Sequence, residues 1–65
     1  MGKLVKKIPP SETGPNMTYL TESGKTYQIT RNPRKSQFTL WLETRDGYEK
    51  IRTASSPYDF YDGLD

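Results

Sequence analysis

The feature that most constrains this chain is Asp46-Gly47, set between Phe38–Arg45 and Tyr48–Thr53, two runs rich in alternating apolar and polar residues. Asp-Gly is a preferred pair for a two-residue β-hairpin turn, because the backbone there needs positive φ. Taking it as the turn sets Arg45 opposite Tyr48, Glu43 opposite Lys50 and Trp41 opposite Arg52 on one face. Leu42 then faces Ile51 and Leu40 faces Thr53 on the other. A slip of one residue would exchange the faces, so the alternation selects this register.

A second hairpin is drawn about Ser23-Gly24, with Glu22 opposite Lys25, Thr21 opposite Thr26 and Leu20 opposite Tyr27. Thr26 to Arg31 alternates as a half-buried strand does, and Asn32-Pro33-Arg34-Lys35-Ser36 ends it in a basic loop. Ser55-Ser56 before Pro57, Asp59 in the next turn and Gly63 beyond predict a short helix over about residues 57 to 62. Before Asn16, three lysines and three prolines read as a flexible basic arm. The expected fold is mainly β (α+β): three or four antiparallel strands in meander order with a short C-terminal helix. Residues 1–16 form the arm and 17–65 one small domain.

With 65 residues the core must be thin. The chain has no cysteine and no histidine, which removes disulfides, Cys/His metal sites, thiol nucleophiles and imidazole bases. Its carboxylates and hydroxyls are scattered over turns, so no enzyme, metal or cofactor is expected. Gly24-Lys25-Thr26 matches only the end of a phosphate loop and sits in a hairpin. Leu4 and Val5 are hemmed in by lysines, and the expectation is a cytoplasmic chain without signal peptide or membrane contact. Charge is uneven: residues 1–52 carry ten Lys and Arg against five acids, giving +5, while 53–65 carry three aspartates. A basic body can attract a polyanion, DNA or RNA.

The expected core face holds Leu20, Tyr27, Ile29, Phe38, Leu40, Leu42 and Ile51, covered by Tyr58, Phe60 or Tyr61. The opposite face then presents Trp41, Tyr48, Lys50 and Arg52, with Arg34 and Lys35 in the flanking loop. Rings interleaved with cations suit single-stranded nucleic acid, whose bases stack while its phosphates are neutralised. The same residues can also satisfy one another, Trp41 with Arg52 and Glu43 with Lys50, as a plain solvated face. The tail offers an alternative: Tyr58, Asp59, Phe60, Tyr61 and Asp62 alternate aromatic and acidic groups that could dock on a protein partner.

Over about residues 26 to 62, the order of three strands and a terminal helix resembles the arm-DNA-binding domains of tyrosine integrases and the small archaeal chromatin proteins that read DNA with a sheet face. The likeness is one of element order without a shared motif, and it implies nucleic-acid binding. Compact basic chains of this kind also suit phage or mobile-element accessory proteins acting as inhibitors or adaptors.

Overall fold

A computed structural model of the chain describes residues 4–61. They form one antiparallel sheet of five strands: β1 (Leu4–Val5), β2 (Thr13–Leu20), β3 (Thr26–Asn32), β4 (Gln37–Thr44) and β5 (Gly47–Ala54), followed by a 3-10 helix over Pro57–Phe60. The strand order is β1-β5-β4-β3-β2. The mainly β, antiparallel expectation holds for β2 to β5, while the number of strands and the terminal helix need correction. The three-strand-plus-helix likeness is corrected with them.

The terminal helix is a single 3-10 turn. Ser56 caps it, its Oγ accepting the Tyr58 N–H at 3.3 Å, and Pro57 opens it as the sequence suggests. Four residues are too few for an α-helical ladder; the Asp59 N–H donates to the Ser56 carbonyl and the Tyr61 N–H to the Tyr58 carbonyl, and the burial of Phe60 adds the packing that so short a turn needs.

Residues 4–16 are likewise no free arm, and residues 1–3 of the expected arm lie outside the described residues. Leu4 pairs with Glu49 and Val5 with Tyr48, and β2 already begins at Thr13. Because β1 and β2 occupy opposite edges of the sheet, the chain between them must cross one of its faces. The crossing residues Ile8, Pro9 and Glu12 are half-buried. Prolines do not prevent this, because an irregular segment laid on a face needs no ladder bonds of its own.

Both hairpin registers differ from the sequence reading, each for a local reason. In the first, the Thr21 N–H donates to the Lys25 carbonyl and the Gly24 N–H to the Thr21 carbonyl, so Glu22-Ser23-Gly24 is a three-residue loop. Gly24 has a φ of +92°, the left-handed residue that such a loop requires. Tyr19 therefore pairs with Tyr27, and Leu20 with Thr26. One residue of slip turns Leu20 to the other face and leaves it 69% exposed.

In the second hairpin the turn is Arg45-Asp46. The Thr44 hydroxyl donates to the Gly47 carbonyl and accepts the Asp46 N–H, and Gly47 already pairs with Thr44. Glu43 thus faces Tyr48, Leu42 faces Glu49 and Trp41 faces Lys50. Between Trp41 and Leu40 the register shifts, so Leu40 opposes Arg52 and Ile51 is left over as a bulge, 40% exposed.

Tyr27, Ile29 and Leu40 form the buried core with Phe60 of the 3-10 helix, and Met17, Phe38, Leu42 and Ala54 pack around them. Leu20 and Ile51 leave the expected core, and Phe60 carries the covering role. The second face is buried too. Thr39, Leu40 and Trp41 are consecutive and all buried, which a strand permits only when both its faces are covered.

Candidate functional site

The sequence groups Trp41, Tyr48, Lys50 and Arg52 on an open face; the structure keeps Trp41, Tyr48 and Lys50 on one face but covers Trp41 and turns Arg52 to the other. Trp41 is 3% exposed. Its indole N–H donates to Thr30 Oγ1 at 2.7 Å, and that hydroxyl donates in turn to Glu12 Oε1 at 2.9 Å. Thr30 is wholly buried, so the bond it donates to Glu12 fixes which face the β1–β2 connection crosses: the one that carries Trp41. No polar side-chain atom buried among the described residues lacks a hydrogen bond, and this chain of three is part of the reason.

Arg52 leaves that face altogether. The bulge at Ile51 reverses the alternation, and the Arg52 guanidinium lies 5.7 Å from the centre of the Phe60 ring on the core side. Its Nη2 also donates to the Asp59 carbonyl at 2.9 Å. Arg52 thereby clamps the 3-10 helix to the sheet. Tyr48, opposite Val5 and Glu43, is half-buried, and Lys50 remains exposed beside Trp41. Gln28, on the same face, accepts from Thr18 Oγ1 at 3.0 Å and donates to Glu43 Oε2 at 3.2 Å, a polar tie across three strands.

Arg34 and Lys35 are exposed in the turn between β3 and β4. Asn32 shapes this turn by accepting the Arg34 N–H with its side chain and the Lys35 N–H with its carbonyl, and Ser36 takes a positive φ of 51°. The two cations sit at one end of the sheet, away from any exposed ring of the expected set.

The C-terminal aromatics divide. Phe60 is wholly buried and unavailable to a partner, whereas Tyr58 is 73% exposed. Tyr61 lies between two other rings, its centroid 5.4 Å from Tyr19 and 6.2 Å from Tyr58, both tilted by 53°. The Tyr61 hydroxyl donates to the Met17 sulfur at 3.5 Å, which holds the middle ring against β2. Asp59 is exposed beside them, and Asp62 lies outside the described residues. Tyr19 is the member the sequence reading missed. The signal for it was the glycine at the third loop position, which turns Tyr19 toward the tail and Leu20 away.

Among the described residues there is no pocket and no group of acids, histidines or cysteines able to hold a metal ion. Nor is any helix long and apolar enough to cross a membrane. What remains is a surface of rings at the β2 side of the sheet and a separate cationic turn. No known protein family, curated protein or solved structure matches the chain.

Proposed function

We propose that this chain is a small binding module that docks a protein partner through Tyr19, Tyr61 and Tyr58, with Asp59 at the rim. The observation that carries this reading is the series of three rings in contact, anchored by Met17 and the buried Phe60 and ending in a Tyr58 that is 73% exposed. Tyrosine suits such a surface because it offers a large apolar area and a hydroxyl while losing few rotamers on binding. The partner it fits is an apolar hollow edged by cations, which would receive Tyr58 and meet Asp59.

Nucleic-acid binding is the second reading, and the exposed pair Arg34 and Lys35 is what favours it. It is the weaker one, since stacking needs an accessible ring among the cations and Trp41 is covered.

One comparison separates the two. Tyr58→Ala and the double variant Arg34→Ala/Lys35→Ala are each assayed for partner capture by photo-crosslinking from position 59, and for oligonucleotide binding at low and high salt. The expected result is a cross-linked protein lost in Tyr58→Ala and kept in the double variant. Salt-sensitive oligonucleotide binding that disappears only in the double variant would overturn the proposal in favour of the second reading.

A further inference from the structure

We infer that the β2 edge pairs with β2 of a second copy of this chain, antiparallel about a two-fold axis at Tyr19. The two edges of the sheet are built differently. At one edge, β1 pairs over only two residues and runs into Lys6 and Lys7, a short and charged border of the kind that discourages further pairing. At the other, β2 carries no charged side chain from Thr13 to Leu20, and Leu20 beside its end is 69% exposed.

The ladder shows which backbone groups of β2 are on offer. Thr21 bonds back to Lys25, so in the same register Tyr19 and Met17 also direct their N–H and C=O toward β3. The N–H and C=O of Thr18 and Leu20 then point away from the sheet. A second β2 run antiparallel with Tyr19 opposite Tyr19 sets Thr18 of each copy against Leu20 of the other and satisfies all of these groups. This register brings no like charges together, because the strand has none. The Tyr19 pair falls at the position without backbone bonds, where side chains approach most closely, and there a ring pair is favourable. Toward the start of β2 the pairing stops where the β2–β3 register shifts between Thr13 and Met17.

So short a ladder makes a small interface, and association is expected in the micromolar to millimolar range. The dimer shares Tyr19 with the proposed docking surface but leaves Tyr58 and Asp59 free of the pairing, and its test reads mass rather than capture. In sedimentation equilibrium the wild-type mass should rise with concentration from 7.5 kDa toward twice that value. Leu20→Lys should stay monomeric with an unchanged circular dichroism spectrum, since the side chain is exposed. The chain has no cysteine of its own, so Tyr19→Cys should give a covalent dimer on mild oxidation and Glu22→Cys, beyond the paired segment, should not. A mass that stays monomeric at all concentrations would overturn the inference. So would a dimer that Leu20→Lys leaves intact, or equal cross-linking from positions 19 and 22.

Discussion

Replacing Gly47 with alanine tests whether the first strand is an integral part of the sheet. A Cβ built at Gly47 would lie 2.1 Å from the Val5 carbonyl oxygen and 3.0 Å from the Lys6 Cα. Both are backbone atoms, so no side-chain rotation relieves the clash and β1 must move. Gly47 also has a φ of +149°, and holding a non-glycine residue in such a region costs about 1 to 3 kcal/mol. Losing the short β1–β5 pairing adds about 1 to 3 kcal/mol, at about 0.5 to 1.5 per hydrogen bond. Gly24→Ala is the internal control. Gly24 has a positive φ of +92° but no atom within 4 Å of its Cβ position, so alanine there carries strain alone.

Two readouts follow from the same variants. Urea unfolding should place Gly47→Ala below Gly24→Ala by the pairing contribution. Trp41, the only tryptophan, should report separately, because lifting β1 loosens the segment that crosses over its ring. Its emission should shift to the red in folded Gly47→Ala and stay unchanged in Gly24→Ala. If the two variants lose equal stability and neither changes its emission, β1 does not hold the cover over Trp41 and is not an integral part of the sheet.

Further outcomes are expected elsewhere in the sheet. Thr30→Val should cost about 1 to 3 kcal/mol in denaturant melts, because it leaves the buried Trp41 indole N–H without an acceptor, while Thr30→Ser should retain most of the stability. Leu40→Ala should cost about 2 to 5 kcal/mol, against less than about 1 for Ile51→Ala at the bulge, although the sequence reading places both in the core. Phe60→Ala should cost about 3 to 5 kcal/mol, enough to unfold much of so small a protein, whereas Tyr58→Ala should melt like wild type. Equal melting of the last pair would remove the 3-10 helix from the core.

The alternation of apolar and polar residues made the strands legible, and Tyr27, Ile29 and Leu40 are in the core as that pattern requires. Registers were less legible, because they turn on loop details that alternation does not encode. At Glu22-Ser23-Gly24 the choice between a two- and a three-residue loop decides the facing of β2, and the sequence admits both. At the second turn Asp46-Gly47 carries the usual signal, yet Gly47 is needed one position later, where only a residue without a side chain lets Val5 approach. A turn signal and a close-approach signal are the same letter in a sequence. The bulge at Ile51 has no local mark at all, and it alone moves Arg52 to the core side.

The facing of Trp41 was hidden for a different reason. Periodicity sorts residues into two faces but says which is wet only if one knows what lies over each. Here the cover comes from residues 6–12, whose lysines and prolines show no period and read as a tail. A chain this short gains by laying an irregular segment on its second face, since a one-sided sheet would bury too little surface to be stable. Glu12 makes the arrangement specific by completing the chain of bonds from Trp41 through Thr30. With both faces occupied, accessible rings are found at the margins, where Tyr19 and Tyr58 flank Tyr61. The expected binding face and the proposed one therefore differ because the sheet has two covers: Trp41 lies beneath the N-terminal segment, and Phe60 brings Tyr58 to the surface as it seals the other side.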